Sequence, residues 1–431
     1  MALTAAEQYL IELINRARLD PAAEAKRYGV SLNDGLGNGA IDTSAKQVLA
    51  SNDVLEKAAM NHSDWMLNKD TFSHTGAGGS NAGARMEDAG YTFAGTYSWR
   101  ENLAWTGTTA SVDMTQAIQD HHEGLYRSAG HRENTFAENV REIGVGQVEG
   151  KFAYQGTSFN ASMLTEKFAL SGTSVFVTGV AYKDKNKDDF YSIGEGKKGF
   201  WFKGGGDSDK TAAAGGYALD VGQGNAVDVR VGKGKKTFAE LEIDTSDGNA
   251  KLDVVIEKGG KVLYLSASAD LESGIRDAKL LGVADLDLTG SSKGNKLTGN
   301  KGDNKLSGES GNDKLVGNRG HDVLNVGGGK DKLNGGQGRD VLDGGKGHDV
   351  MKGGKGADEF VFNGGKDKIR DFENNVDTLV IDRALASGIS AALDQGEIIG
   401  GNAVFDFGGG DVLPLRGIDN LDILANDLII G

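Results

Sequence analysis

The stretch GGQGRDVLDGGKGHDVMK, residues 335–352, consists of two nine-residue units built to one pattern. Each unit opens with two glycines and carries an aspartate at its sixth position and an apolar residue at its eighth. Glycine permits tight turns, aspartate supplies the hard oxygen ligands that Ca²⁺ prefers, and one apolar residue per unit fills a thin core. The pattern therefore predicts a solenoid that calcium stabilises.

The nine-residue period extends from Gly290 to about residue 371. The apolar position is filled by Leu297, Leu306, Leu315, Leu324, Leu333, Leu342, Met351, Phe360 and Ile369. The ligand position is filled by Asn295, Asn304, Asp313, Asp322, Asp331, Asp340, Asp349, Asp358 and Asp367. Asparagine at the first two ligand positions, each followed by a lysine, predicts weaker calcium binding there. A low-complexity linker of glycine and aspartate is the alternative interpretation, but a linker needs no constant period.

These units resemble the RTX calcium-binding repeats, whose pattern is G-G-x-G-x-D-x-apolar-x, over residues 290–371. The resemblance implies a parallel β-roll in which two units form one turn, so that the ligand positions fall into two stacks. It also implies several Ca²⁺ ions at the aspartates of the repeats: Asp313, Asp322, Asp331, Asp340, Asp349, Asp358 and Asp367. RTX proteins leave Gram-negative bacteria through the type I secretion apparatus and fold outside the cell in calcium. We therefore expect a secreted, extracellular protein.

Composition narrows the possible functions. The net charge of −15 argues against nucleic acid as a partner, because binding phosphates requires an extended positive surface. The absence of cysteine excludes disulfides and thiolate metal sites, so a zinc site would need histidine and carboxylate ligands. No apolar run is long enough for a transmembrane helix. At the N-terminus, Thr4 and Glu7 fit a helix capping box better than a secretory signal.

The N-terminal region carries five of the seven histidines and six short motifs. In chain order the motifs are LINRARLDP, AAMNHSDWM, FSHTG, ENLAW, GHREN and EIGVG. Helical spacing of apolar residues predicts helices at the first two, and alternation predicts strands in IGVGQV and FAYQGTSF. Together the motifs resemble the CAP superfamily of cysteine-rich secretory, antigen 5 and pathogenesis-related 1 proteins, in a bacterial form without cysteine. The resemblance implies an α-β-α sandwich with a cleft that holds two histidines and two glutamates.

By this resemblance, His74 of FSHTG and His131 of GHREN match the metal-binding histidines, and Glu101 of ENLAW matches one cleft acid. Glu123 is the nearest candidate for the second acid, although the tryptophan that usually accompanies it is missing. Another polar side chain could take the place of this acid, either His121 or His122.

Two neutral imidazoles can hold Zn²⁺, and a carboxylate such as Glu101 could then act as general base on the zinc-bound water. The same cleft could instead bind a metal structurally or only hydrogen-bond water. His62 lies on the apolar face of its predicted helix and fits a core histidine better than a ligand.

The middle region changes to short alternating strands, which predict a small β-sandwich. Within it, DKNKDDFYSIGE at 184–195 has the spacing of a calcium loop. Its ligands would be Asp184, Asn186, Asp188, Glu195 and the carbonyl of Phe190. Asp189 stands where a glycine is usual, and the flanks predict strands rather than EF-hand helices. The segment resembles the SdrD B-like or Cna B-like calcium-loop sandwiches of bacterial surface adhesins; a solvated acidic turn is the alternative.

The sequence thus predicts a multidomain protein: an α-β-α sandwich, then a small β-sandwich, then a parallel β-roll. The predicted divisions are 1–171 for the CAP domain, 172–258 for the sandwich, 259–289 for connecting strands, 290–371 for the roll and 372–431 for a β cap with the secretion signal. We expect the CAP domain to be an extracellular binding module for an envelope, matrix or lipid ligand. The alternative hypothesis is a zinc-dependent hydrolase, with Glu101 or Glu123 as the catalytic carboxylate.

Overall fold

The computed structural model describes residues 3–431. They form two compact units. The first unit takes in the described residues up to Thr237 together with Asp244–Lys261, and the second takes in Phe238–Ile243 together with Val262–Gly431. Among residues 3–431, no helix has the length and apolar character that crossing a membrane requires.

The N-terminal domain is built from helices and one four-stranded sheet. Its helices are α1 (Ala5–Leu19), α2 (Pro21–Tyr28), α3 (Asp53–Asn68), α4 (Ala82–Ala89), α5 (Met114–Arg127) and α6 (Ala129–Phe136). Its strands are β1 (Ala50–Ser51), β2 (Tyr97–Thr108), β3 (Glu142–Tyr154) and β4 (Thr157–Ser171). The capping box at Thr4 is present at the start of α1. Helix α3 begins at Asp53 because the Asn52 side chain accepts the backbone N–H of Val54 and Leu55.

The sheet of this domain has the order β1-β3-β4-β2, with β1 parallel to β3 and the other neighbours antiparallel. Successive side chains of a strand point to opposite faces, so Phe168 and Ala169 of β4 enter different cores. Phe168 packs with Ile14 of α1 and with α5, while Ala169 packs with Leu55 of α3 and Met86 of α4. Helices therefore cover both faces, and the predicted α-β-α sandwich is confirmed.

The middle region consists of short strands. They are β5 (Val175–Tyr182), β6 (Phe200–Gly204), β7 (Asp207–Lys210), β8 (Gly216–Gly222), β9 (Ala226–Lys233), β10 (Lys236–Asp244) and β11 (Ala250–Glu257). Strand β5 lies between β8 and β11, and β6 lies between β7 and β9. The ring of Phe202 in β6 stacks on Tyr217 in β8, with centroids 3.5 Å apart. The two small sheets thus face each other, as in a sandwich.

The repeats form a succession of very short parallel strands. The strands from residue 260 to 369 are β12 (Gly260–Leu265), β13 (Ala269–Gly274), β14 (Asp277–Leu280), β15 (Asp287–Thr289), β16 (Lys296–Thr298), β17 (Lys305–Ser307), β18 (Ser310–Gly311), β19 (Lys314–Arg319), β20 (Val323–Asn325), β21 (Gly328–Gly329), β22 (Lys332–Gln337), β23 (Val341–Asp343), β24 (Lys346–Gly347), β25 (Val350–Lys355), β26 (Glu359–Phe362) and β27 (Lys368–Ile369).

These strands join into two parallel ladders. One ladder runs through β14, β16, β19, β22, β25 and β27. The other runs through β13, β15, β17, β20, β23 and β26. One turn therefore uses two nine-residue units, and the predicted parallel β-roll is confirmed. Both ladders begin before residue 290, inside the stretch 259–289 that the sequence predicted as connecting strands. A parallel strand needs a buried apolar residue but no glycine-rich turn, so a ladder can start ahead of the repeats.

The C-terminal segment continues both ladders. It contains β28 (Thr378–Ile381), α7 (Ile389–Leu393), β29 (Gly396–Ile399), β30 (Asn402–Asp406), β31 (Val412–Arg416) and β32 (Leu428–Ile430). Strand β28 pairs with β26 and β32, while β31 pairs with β27 and with the hairpin formed by β29 and β30. Phe405 of β30 and Leu413 of β31 are fully buried. The roll is thus followed by strands that bring more apolar side chains than the repeats do.

Candidate functional site

The ligand positions of the repeats form two stacks. Along one stack the Asp322 N–H donates to Asp340 Oδ1 over 2.9 Å, and along the other the Asp313 N–H donates to Asp331 Oδ1 over 2.6 Å. Each partner lies 18 residues away, which is one turn of the roll. Each bond uses only one carboxylate oxygen. The second oxygen is buried and has no hydrogen-bond donor in Asp313, Asp322, Asp331, Asp340, Asp349 and Asp367.

Burial also governs the charge of these aspartates. It raises the pKa of Asp322 to about 7, more than the hydrogen bond from the Asn304 N–H lowers it. Burial raises the pKa of Asp331 and Asp367 to about 7 as well. A buried carboxylate without a counter-charge is unstable, and a hard divalent cation is the counter-charge that carboxylate and carbonyl oxygens hold best. The donor set therefore fits Ca²⁺.

The first glycine of each unit keeps the space beside these oxygens open. A Cβ added to Gly317 would lie 2.2 Å from Asp322 Oδ2 and 2.7 Å from the Gly335 carbonyl oxygen. The free carboxylate oxygen and a backbone carbonyl thus line the same small space. Gly328, between the main strands, differs, because a Cβ there would meet only one atom, at 3.6 Å.

The two asparagines at the start of the repeats are fully partnered. Asn304 Nδ2 donates to Asn300 Oδ1 over 3.1 Å, and Asn295 Nδ2 donates to the Arg276 carbonyl over 3.0 Å. Their side-chain oxygens accept backbone N–H groups of Asn300 and Ser291. The side-chain amide of asparagine is uncharged and carries N–H donors, whereas a buried carboxylate needs a cation to balance its charge. Weaker calcium binding at these positions stays a prediction.

In the N-terminal domain, Glu101 is the centre of a charged cluster at the cleft. We call His74, Arg85, Glu101 and Lys167 the Glu101 cluster. Glu101 Oε1 accepts from His74 Nδ1 and Arg85 Nη2, each over 2.9 Å, and Glu101 Oε2 accepts from Arg85 Nη2 over 2.7 Å and Lys167 Nζ over 2.5 Å. The side chains of Glu101 and Lys167 are 3% and 0% exposed, whereas His74 is 61% exposed. The cluster is therefore a buried ion network with one imidazole at the surface.

These contacts fix the charge of Glu101. Burial would raise its pKa, but the hydrogen bond from His74 and the charges of Lys167 and Arg85 outweigh burial and lower the pKa to about 2. Burial lowers the pKa of Lys167 to about 8. Burial, followed by the neighbouring His74, lowers the pKa of His131. At neutral pH the cleft thus holds a fully ionised, fully partnered carboxylate and a neutral His131.

The structure does not bring the four predicted cleft residues into one metal site. Glu123 lies on the exposed face of α5, where its Oε1 accepts from Arg127 Nε over 2.8 Å. Throughout residues 3–431, no three His, Asp, Glu or Cys side chains come together as metal ligands. Two imidazoles fall short of the three protein ligands of a catalytic zinc site, and Glu101 is already held by two cations. The residues present do not fit the predicted zinc centre, and Glu101 is not free to act as a general base.

The other histidines of this domain are buried. His62 is 1% exposed, its Nε2 bonds to the Ser73 carbonyl over 3.0 Å and burial lowers its pKa to about 4. His121 bonds to Ser162 Oγ and His122 bonds to Glu24, both in the interior. Sequence reasoning missed Arg85 and Lys167. Each is a cation in a segment of mixed polarity, and nothing local marks either one as a partner of Glu101.

In the predicted calcium loop at 184–195, the acidic side chains accept hydrogen bonds from backbone N–H groups of the loop itself. Asp184 Oδ1 accepts from the Lys187 N–H, Asp188 Oδ1 accepts from the Phe190 N–H over 2.9 Å, and Glu195 Oε1 accepts from the Lys185 N–H over 2.7 Å. Asn186 Nδ2 donates to Asp188 Oδ2. The phenyl ring of Phe190 faces the guanidinium of Arg16, 4.7 Å from the ring centroid. Calcium binding by this loop stays a prediction.

Comparison with known proteins assigns the two ends of the chain. The model of the cysteine-rich secretory protein family matches residues 11–157, and the model of the RTX calcium-binding nonapeptide repeat matches residues 289–324 and 325–360. No curated protein is significantly similar to the chain.

Three solved structures are similar in part. An extracellular protein with an SCP domain from Bacillus anthracis is 20% identical over 38% of this chain and 39% of its own, with a TM-score of 0.24. An outer surface protein from Borrelia burgdorferi is 16% identical over 39% of this chain and 93% of its own, with a TM-score of 0.25. An extracellular lipase from Serratia marcescens is 16% identical over 37% of this chain and 41% of its own, with a TM-score of 0.19. The chain thus spans well under half of the Bacillus protein.

The family matches agree with the geometry at both ends: helices cover both faces of the N-terminal sheet, and two units of the repeat make each turn of the roll. Both families are typical of secreted proteins. The chain therefore contains a CAP domain of the cysteine-rich secretory protein family, followed by RTX calcium-binding repeats, and is a calcium-binding extracellular protein.

Proposed function

We propose that this protein acts outside the cell as a binding module whose roll folds on calcium after export by a type I secretion apparatus. The observation that carries the calcium part is the row of buried carboxylate oxygens without donors in the repeats. Calcium that binds only the folded roll shifts the folding equilibrium by mass action. A cell interior poor in calcium would then keep the roll unfolded for export, and the medium would fold it.

Export is expected to depend on the segment after the repeats. In RTX proteins the C-terminal segment carries the secretion signal, and here residues 372–431 alternate apolar and acidic stretches. Fused to an unrelated passenger protein in a Gram-negative host with a type I exporter, this segment should bring the passenger into the medium. The matched control is the same fusion in a host that lacks the exporter. A passenger that stays in the exporter-containing cells would contradict the proposal.

For the CAP domain we propose binding rather than catalysis. The supporting observation is the saturation of Glu101 by Arg85, Lys167 and His74, which leaves neither oxygen of this carboxylate free. A hydrolase would need a base that can take a proton near neutral pH. With its pKa lowered to about 2, Glu101 would hold a proton too weakly for that role.

The test compares the wild type with a His74→Ala/His131→Ala variant. We expect both proteins to contain no stoichiometric zinc at pH 7 and to show equal, background activity on a panel of ester, peptide and glycoside substrates. The Glu123→Gln variant serves as a control that changes an exposed acid only. Metal-dependent turnover that disappears in the double histidine variant would overturn the binding assignment and favour the hydrolase.

A further inference from the structure

One outer face of the roll carries a row of lysines. In the ladder through β16, β19, β22, β25 and β27, Lys296 pairs in register with Lys314, Lys314 pairs with Lys332, and Lys368 follows after Val350. All four lysines are exposed. Neighbouring strands lie about 4.8 Å apart, so Lys296, Lys314 and Lys332 follow one another at this short spacing, and Lys368 stands two strands beyond Lys332.

The row is a property of one ladder and not of the repeat as such. At the same position of the other ladder, Lys305 pairs with Val323, Val323 with Val341, and Val341 with Glu359. That face therefore has one lysine and one acid where the first face has four lysines. The chain as a whole has a net charge of −15, so three consecutive lysines and a fourth beyond Val350 are a marked local reversal of charge.

Like charges in directly paired positions of neighbouring strands destabilise a sheet. Among residues 3–431, no hydrogen bond or ion pair joins the ammonium group of Lys296, Lys314, Lys332 or Lys368 to another side chain. The nearest acid in the ladder is Asp277, which pairs with Lys296 and so stands at one end of the lysine row. The row thus has a repulsion that bound anions would relieve.

The surroundings of the row favour a flat, extended polyanion. Two residues further along each strand, Thr298, Val316 and Asn334 pair in register and are half-buried. Exposed Lys352 pairs with Asn334 and adds a cation there. The exposed positions of β16, β19, β22, β25 and β27 hold no aromatic ring on which a nucleic-acid base could stack. They also hold no large apolar side chain of the kind that enters a bilayer surface.

We propose that this lysine row, Lys296, Lys314, Lys332 and Lys368, binds a linear acidic polysaccharide along the long axis of the roll. Carboxylate or sulfate groups repeated along an extended sugar chain would meet lysines repeated along the ladder, and the release of counterions would drive binding. This inference rests on the proposed extracellular binding role for its choice of partner. It assigns that role to a second surface, in the roll.

The test uses the full-length, calcium-loaded protein and dextran sulfate as the probe, with neutral dextran as the blank. One variant changes Lys296, Lys314, Lys332 and Lys368 to glutamine. The matched control changes four exposed lysines of the same compact unit that lie outside the row to glutamine: Lys293, Lys330, Lys346 and Lys366. Both variants lose the same charge, and far-UV circular dichroism in calcium checks that both rolls are folded.

We expect the row variant to bind dextran sulfate about tenfold more weakly or worse and with a shallower salt dependence, while the turn variant stays within about twofold of the wild type. Equal weakening of both variants would reduce the effect to net charge and overturn the proposal. Tighter, row-dependent binding of a single-stranded oligonucleotide or of phosphatidylserine vesicles would also overturn it, in favour of that partner. Calcium-dependent folding is read separately by circular dichroism, so failure of this inference is distinguishable from failure of the proposed function.

Discussion

Removing calcium with EGTA should unfold the repeat region of the full-length protein while the N-terminal domain stays folded. Most units of the roll bury a single apolar side chain, such as Leu315 or Leu342, so its core is thin. Its interior also holds carboxylate oxygens without donors. Each calcium ion present at a hundredfold excess over its dissociation constant contributes about 2.7 kcal/mol of stability. The loss of several such ions would therefore remove more stability than burial in this thin core provides.

Hydrogen exchange read by mass spectrometry locates the effect. Amides of residues 305–369 should lose protection in EGTA and regain it when millimolar calcium returns, whereas amides of α3 and β4 should stay protected throughout. Gly317→Ala should reproduce the loss in calcium, because its Cβ would enter the space beside Asp322 Oδ2. Gly328→Ala is the matched control, because its Cβ makes only an ordinary contact. Full protection of the repeats in EGTA would refute calcium-dependent folding.

Glu101→Gln should destabilise the first unit by about 3–5 kcal/mol, because it leaves the buried Lys167 and Arg85 without their anion. Urea unfolding followed by tryptophan fluorescence measures the change in the free energy of unfolding, since all four tryptophans lie before residue 202. Glu123→Gln removes an exposed partner of Arg127 and should cost about 0–1 kcal/mol. Equal, small effects of the two substitutions would mean that the Glu101 cluster contributes little to stability.

The same carboxylate predicts the acid sensitivity of the domain. The pKa of Glu101 is lowered to about 2 in the folded protein, below the value of about 4.3 for an unfolded chain. The contribution of Glu101 to stability is therefore complete above pH 4.3 and falls as the pH drops toward 2. In Glu101→Gln this part of the pH dependence should disappear. If the variant kept the wild-type dependence of the free energy of unfolding on pH between pH 4 and 2, that dependence would come from other acids.

The sequence predicted more of the roll than of the cleft. Leu297, Leu315 and Leu333 recur every eighteen residues, and the same three residues are in register in the ladder. The prediction succeeded because every contact in a roll is made with the neighbouring turn. In the N-terminal domain, the resemblance carried by the motifs predicted the fold and put His74 and Glu101 in one cleft, but it did not predict the hydrogen bond between them. They suggested Glu123 as the second acid, whereas its carboxylate pairs with Arg127.

The period of the repeats by itself thus determined which side chains form the core of the roll, because a constant period fixes which side chains are buried. The α-β-α sandwich and the two stacks of ligand positions followed from the resemblance of the motifs and repeats to known families. Only the tertiary structure decided the chemistry of the cleft. Arg85 and Lys167 reach Glu101 across 16 and 66 residues of chain. The proton affinity of a buried carboxylate depends on the charges that surround it in space, and no local pattern records which cations the fold will place there.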